Sequence, residues 1–347
     1  NPNVGKSTVF NGLTGLNQHT GNWPGKTVAN ARGKAIYQGK AFTLVDVPGT
    51  YSILSNSAEE QVARNFICFG HPDVTVVVTD ATCLERNLNL VLQIMEMTAS
   101  VVVCINLMDE AGKKKIKLDF KALEQCLGVP VVGTNARSNQ GLDLLMDRVW
   151  KVATGEIKPN PASIVYPKTI EQAAGRLDAT VKKLLGERLP SRWVSLKLLE
   201  GDEMILKDIH EHTGCDLIHD TELMSAVERE KDALHSHGID SDTFRDMIVS
   251  SIIAKAEDTA YRSVSFENRN YNSTDRKIDR IVTSRIYGIP IMLVLLGLIF
   301  WLTVTGANYP SELLASGFSW AEGRLLGFFA AVGAPVWLKE LLVMGIY

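Results

Sequence analysis

The chain has 347 residues and sets 36 Lys and Arg against 39 Asp and Glu, a formal net charge of -3. Its 46% hydrophobic and 22% charged residues exclude wholesale disorder, and the near balance of charge excludes the basic excess of a dedicated nucleic-acid binder. Cys68, Cys83, Cys104, Cys126 and Cys215 form no CxxC pair. An odd count in so long a chain is not a disulfide framework. Free thiols fit a reducing compartment, and the first four read as core residues.

The chain opens at Asn1-Pro2-Asn3 without a Met and stops inside an apolar run at Gly345-Ile346-Tyr347. Both ends read as cut from a longer protein. Residues 1–8, N-P-N-V-G-K-S-T, form a phosphate loop of the pattern GxxxxGK[ST] lacking its first glycine. Gly5 lets the backbone approach phosphate oxygens. Consecutive N–H groups from Asn1, Pro2, Asn3, Val4 and Gly5 onward, where present, and the helix N-terminus beginning at Ser7 and Thr8 hold the anion. Lys6 supplies a point charge to the β- and γ-phosphates, and Ser7 a hydroxyl for Mg²⁺. Such a loop follows a central strand, so that strand is expected to be missing here, leaving a less stable domain.

Residues 19–30 form a Gly-rich loop carrying Thr27, placed to ligand Mg²⁺ when a γ-phosphate is present. A hairpin follows: residues 32–37, a turn at 38–40, then 41–47. At its end stands Asp46-Val47-Pro48-Gly49. Asp46 can reach Mg²⁺ through water, and Gly49 can offer its N–H to the γ-phosphate. Glu59 and Glu60 read either as water-positioning carboxylates or as a solvated helix start. Residues 74–80, 101–106 and 130–134 are β-branched runs of strand length, separated by helical patterns near 86–98, 118–127 and 141–153. Strand–helix alternation means an α/β fold with a mostly parallel sheet and helices on both sides. Asn106-Leu107-Met108-Asp109 closes one strand. The Asp109 carboxylate can accept from the N1–H and the 2-amino group of guanine together, donors that adenine does not offer there. Thr134-Asn135-Ala136 follows the next strand and can close over the base with a backbone N–H.

Residues 154–167, with three prolines, read as a linker. Residues 168–274 read as a small all-α domain, with helices over 170–185 and 222–235. His210, His212, Cys215, Asp216 and His219 lie close in sequence, but Thr213-Gly214 is expected to end the helix between them, which favours a polar helix end over a metal site. Residues 286–305 hold no charge and are long enough for a transmembrane helix. Arg276, Lys277, Arg280 and Arg285 precede them and place the N-terminal side in the cytoplasm. The apolar region 325–335 reads as re-entrant or interfacial, and 341–347 as the start of another span.

The series N-P-N-V-G-K-S-T, G-N-W-P-G-K-T-V (21–28), D-V-P-G-T-Y-S (46–52) and N-L-M-D, with a helical domain before an apolar span, resembles the ferrous iron transport protein B family. The G-N-W-P-G loop and the R-x-x-G-I-P entry at 285–290 are its most specific parts. The resemblance implies a P-loop GTPase domain over 1–153, a spacer over 168–274 similar to a guanine-nucleotide-dissociation inhibitor, and the start of a polytopic domain over 275–347. It implies GTP, Mg²⁺ and activating K⁺ as cofactors, and Gly25, Lys26, Thr27 and Val28 at the nucleotide. Asn3 is implied as the K⁺ ligand, since similar potassium-activated GTPases use an Asn there. Asn3, Lys6, Thr27 and Gly49 would then carry catalysis. Fe²⁺ would be the transported ion, with the bilayer, small cytoplasmic proteins of iron uptake and other copies of the chain as partners, and a bacterial inner membrane as the location. Thr50 stands where many regulatory GTPases use Gln to orient water, which predicts slow intrinsic hydrolysis. Two other readings share these motifs: a soluble assembly GTPase of the ribosomal type, and a nucleotide-gated membrane receptor without significant catalysis.

Overall fold

A computed structural model describes residues 1–15, 18–22, 29–54, 57–266, 282, 284 and 287–333. The chain divides into two compact units, Asn1–Asn268 and Arg269–Tyr347.

The first unit begins with helix α1 (Lys6–Thr14), entered from Gly5 in the left-handed region at φ 78°. Strands β1 (Gln18–Asn22), β2 (Ala29–Tyr37) and β3 (Lys40–Asp46) form an antiparallel meander. Gln38 and Gly39 join β2 to β3 with φ of 49° and 74°, the two positive values that a tight hairpin turn demands. β1 differs from the sequence reading, which placed 19–30 in a loop. Its residues, QHTGN, carry no apolar alternation; the backbone ladder to β2 alone makes them a strand.

Helix α2 (Ala58–Phe69) leads to strand β4 (Thr75–Asp80), helix α3 (Leu84–Met97), strand β5 (Val101–Asn106), the short α4 (Met108–Lys113), strand β6 (Ile116–Leu118), α5 (Phe120–Leu127), strand β7 (Val131–Gly133) and α6 (Leu142–Ala153). β4, β5 and β7 form a parallel sheet in that order. All six β5 residues are buried. Val101, Val103 and Ile105 pack into one apolar cluster with Leu88, Leu92 and Leu123. Val102 and Cys104 pack into another with Val9, Leu145 and Val149. Helices thus cover both faces, which is why the strand reads as an unbroken apolar run. The register pairs Asp80 with Asn106 and Ile105 with Gly133, so the strands end together and deliver their C-terminal residues to one edge. That edge is where open α/β sheets bind ligands.

The proline-bearing stretch 154–167 is docked. Asn160 N–H donates to Gly128 O at 2.9 Å, Ala162 N–H to Leu127 O at 2.8 Å, and Ile164 and Tyr166 are buried. Helices α7 (Lys168–Leu185), α8 (Ser191–Glu200), α9 (Glu203–Thr213), α10 (Thr221–Ser236) and α11 (Ser241–Ser263) follow. Asp202, Asp220 and Asp240 cap three of them by accepting the backbone N–H three residues on. After α11, strand β8 (Val264–Phe266) pairs antiparallel with β6, setting Leu118 beside Val264. Leu177, Phe244 and Ile252 of the helical half belong to the same cluster as Leu88 and Ile105. The two halves of the first unit therefore share one core.

The cysteines divide. Cys68 and Cys104 are core residues as expected, and burial pushes their thiols up to about 12 and about 11. Cys126 is half-buried. Cys83 is exposed, contrary to its reading as core, because it caps the start of α3 beside Asp80.

The Arg276, Lys277, Arg280 and Arg285 cluster and residues 334–347 lie outside the described residues. Taken by itself, the second unit holds helix α12 (Gly288–Ala331), the one helix among the described residues long and apolar enough to cross a membrane. The sequence predicts a span ending at 305 and a separate apolar stretch at 325–335; the helix instead continues past 305 and ends at Ala331, inside the second stretch. Its 44 residues would extend roughly 66 Å at about 1.5 Å each, about twice a bilayer core.

A buried arginine helps to join the halves. Arg64 of α2 is 1% exposed. Its guanidinium lies 2.9 Å from the Asp208 carboxylate of α9 and 3.8 Å from Asp202 at that helix's cap. Phe69 stacks on His212 at the other end of the contact, centroids 4.5 Å apart. Replacing Arg64 by Met leaves the shielded Asp208 carboxylate without its cation, and Asp202 with only the more distant Lys197 at 4.0 Å. The expected cost is about 3–5 kcal/mol by chemical denaturation; a change within experimental error would mean that α2 and α9 are held by apolar packing alone.

Candidate nucleotide site

The phosphate loop is built on two left-handed residues, Asn3 at φ 58° and Gly5 at φ 78°. Gly5 is needed for closeness as well as for its angle, since a Cβ there would lie 2.4 Å from Asn106 Nδ2. Asn106, at the end of β5, is 1% exposed. Its Nδ2 donates to Val4 O at 2.9 Å. Its Oδ1 accepts from the Thr134 hydroxyl at 3.1 Å and from Ala136 N–H at 3.0 Å. One side chain thus ties the phosphate loop to the segment after β7.

Lys6 Nζ lies 2.6 Å from Asp46 Oδ1 and also donates to Val47 O. The two charges expected at phosphate and metal therefore face each other at the mouth of the loop, with Ser7 and Thr8 exposed beside them. Gly49 packs on the loop itself, for a Cβ there would come 3.4 Å from both Asn1 O and Pro2 Cα. Thr50 is buried behind it.

At the other end, Leu107 turns the chain at φ 63° so that Met108 and Asp109 open α4. Met108 N–H reaches Thr134 O at 3.3 Å. Asp109 Oδ1 is shielded from solvent and has no hydrogen-bond partner. A shielded carboxylate oxygen without a donor is costly, and a guanine edge supplies the donors it wants. The amides of the Thr134-Asn135-Ala136 stretch differ from the expectation of a free N–H over the base. Thr134 N–H bonds Ile105 O at 2.8 Å, Asn135 N–H bonds Gln140 O at 2.9 Å, and Ala136 N–H is taken by Asn106. The stretch supplies position, holding Asn106 in place.

Gly25, Lys26, Thr27 and Val28 lie outside the described residues. Glu59 is exposed on the first turn of α2, where Ser57 caps the helix through Glu60 N–H at 3.2 Å; Glu60 keeps one shielded oxygen without a partner. Among the described residues no group of His, Cys, Asp and Glu could hold a metal ion. Helix α9 ends at Thr213, with Gly214 left-handed, and His219 pairs with Asp216 while His212 stacks on Phe69.

Two buried polar residues of α3 escaped the sequence reading. Asn87 donates to Cys83 O at 3.0 Å, accepts from Asp80 N–H at 3.3 Å, and offers its carbonyl to Asn1 Nδ2 at 3.5 Å. Gln93 bonds the chain after Gly49. Their signal was a polar residue on the apolar side of an amphipathic helix, a position that demands a buried partner.

The oxygens that Ser7, Asp46 and Asn3 carry, a hydroxyl, a carboxylate and an amide, are of the kind that suits hard cations. The cradle and the base side can be tested together. Asn106→Asp keeps an oxygen for Thr134 and Ala136 but sets a carboxylate against Val4 O. Nucleotide affinity by titration should fall at least about tenfold, the equivalent of about 1.4 kcal/mol; unchanged affinity would show that the loop holds its shape without this link.

Comparison with known proteins gives the chain its relatives. The family model described as ferrous iron transport protein B matches residues 1–149, and that of the FeoB cytosolic helical domain matches residues 166–265. The Fe(2+) transport protein A/Fe(2+) transporter FeoB fusion protein of Porphyromonas gingivalis is 33% identical over the whole chain, which covers 40% of that protein. The Fe(2+) transporter FeoB of Salmonella choleraesuis is 32% identical, again over the whole chain, which covers 43% of it. The chain thus spans less than half the length of these relatives. The cytosolic domain of the T. maritima FeoB iron transporter in its GMPPNP form superposes with a TM-score of 0.62 at 29% identity, covering 76% of this chain and 96% of that one. A GDP-bound mutant of the S. thermophilus protein gives 0.66 at 27% identity, covering 76% and 97%. With two models of one family matched in order along most of its length, the chain belongs to the ferrous iron transport protein B (FeoB) family.

Proposed function

We propose that this chain binds and hydrolyses GTP on the cytoplasmic side of a membrane, as the N-terminal part of a bacterial ferrous iron transporter. One observation carries the nucleotide reading: Asn106 fixes the phosphate loop to the segment beside Asp109, whose shielded oxygen has no protein donor. The relatives support the rest, being named Fe(2+) transporters and, in the solved structures, holding GDP or GMPPNP.

The reaction is GTP and water to GDP and phosphate. Lys6 leaves Asp46 for the β- and γ-phosphate oxygens, and Asp46 is then free to face cation-bound water. Gly49 presents its N–H to the γ-phosphate from the backbone it already touches. Bound Mg²⁺ would neutralise phosphate charge beside Ser7 and Asp46, and K⁺ would add positive charge beside Asn3. Thr50 carries no amide to orient the attacking water, so intrinsic turnover is slow. Thr27, Gly25, Lys26 and Val28 belong to the same site in this reading.

Fe²⁺ is the cargo. Residues 286–305, whose described part opens helix α12, are the first span of a multi-pass inner-membrane domain, with residues 1–285 in the cytoplasm, the α/β part over 1–153 and the helical spacer over 168–274. Small cytoplasmic proteins of iron uptake and further copies of the chain are its partners.

Phosphate release by the whole chain in detergent tests the catalytic claim. GTP should be turned over and ATP should not. The GTP rate should be higher in K⁺ than in Na⁺, and Asn3→Ala should abolish that difference. Equal rates in the two salts would remove Asn3 from the mechanism, and equal turnover of ATP and GTP would overturn the assignment.

A further inference from the structure

The chain leaving Gly49 is tied to α3 before it reaches α2. Gln93 is 7% exposed. Its Oε1 accepts from the Ile53 backbone N–H at 2.7 Å and from the Ser52 hydroxyl at 3.0 Å. The Ser52 oxygen in turn accepts from Leu54 N–H at 3.1 Å, closing a tight turn. Ile53 is buried in the core that α3 shares. Two turns earlier on the same helix, the Arg86 guanidinium lies 4.5 Å over the Tyr51 ring. The path from Gly49 to Ser52 is three residues, at most about 10–11 Å of chain. Its near end rests on the backbone of Asn1 and Pro2 and its far end on Gln93. With the chain packed on the phosphate loop at Gly49 and tied to Gln93 three residues later, the Gly49 peptide has little room to turn its N–H.

We infer that Gln93 is a positioning residue for recognition of the terminal phosphate. The inference rests on the guanine-nucleotide reading above. The phosphate loop and the Asp109 segment hold the base and the diphosphate. The 46–49 segment is the element placed to meet the third phosphate, and it acts only through an N–H aimed at one oxygen. Gln93 holds that aim from just beyond the segment, by giving the Ser52 hydroxyl and the Ile53 N–H a single acceptor. If the segment swung away, a buried amide oxygen would lose both its partners at once, which opposes such motion. The effect of Gln93 should therefore appear in the difference between GTP and GDP, and leave what the two nucleotides share untouched.

The test uses the whole chain in detergent with GDP, a non-hydrolysable GTP analogue, and GTP turnover. Gln93→Met keeps the shape and removes the acceptor. It should keep GDP affinity within about twofold while analogue affinity and turnover fall about tenfold. Gln93→Glu keeps an oxygen for both donors and should restore the analogue affinity to within about threefold of the parent. Ser52→Ala, which removes one bond from the loop side and serves should Gln93→Met not fold, should weaken the analogue alone by about threefold. Equal losses for GDP and analogue in Gln93→Met, no loss at all, or no recovery in Gln93→Glu would overturn the inference. A parent chain that bound no guanine nucleotide would instead refute the reading beneath it.

Discussion

The arrangement of the nucleotide site depends on a single amide. Asn106 is buried at the end of a strand whose six residues are all buried, and it gives its donor to one loop and its acceptor to another. The phosphate loop has φ values of 58° and 78° at Asn3 and Gly5, a left-handed conformation that side chains other than Asn and Asp rarely take and that glycine takes freely. Such a loop needs support from outside itself. The parallel register brings that support to the right place, because Asp80 and Asn106 reach the edge side by side. Geometry set by the sheet becomes geometry at the phosphates.

The second constraint is that the α/β and helical halves do not fold around separate cores. Tyr166, on the strap between them, donates to Glu96 of α3 at 2.8 Å. Arg192 of α8 joins Glu96 at 3.0 Å, Glu171 of α7 at 2.6 Å and the Ile164 carbonyl at 2.8 Å. Burial pushes the Glu96 carboxyl up, against the bonds from Tyr166 and Arg192 that favour its charged form. With Arg64 on the other flank, a shielded and a half-buried ionic cluster bracket α2 and α3. These helices follow the 46–49 segment and β4. A shift of α2 or α3 would therefore meet side chains already bonded to the helical half.

Much of this was legible in the residues. Asp46-x-x-Gly49 and Asn106-x-x-Asp109 stand at strand ends because β-branched runs precede them, and the runs are continuous because both faces are covered. The end of α9 follows from Gly214. What stayed hidden depends on partners far along the chain. β6 and β8 are three residues each and become strands only because Leu118 meets Val264. The three prolines of 154–167 suggested a free linker, and only the Gly128 and Leu127 carbonyls show why it is docked. The Lys6–Asp46 pair is hidden too, since the motif of each residue points to a ligand and not to the other residue.

The account rests on Asp109 as the reader of guanine, and one exchange of atoms tests it directly. Asp109→Asn replaces one carboxylate oxygen by a donor, which suits the 2-oxygen of xanthine better than the 2-amino group of guanine. Competition titrations of the parent and this variant with the guanine, xanthine and adenine triphosphates should show the preference move from guanine to xanthine, with adenine weak in both. Retention of guanine preference in the variant, or equal binding of all three bases by the parent, would contradict it.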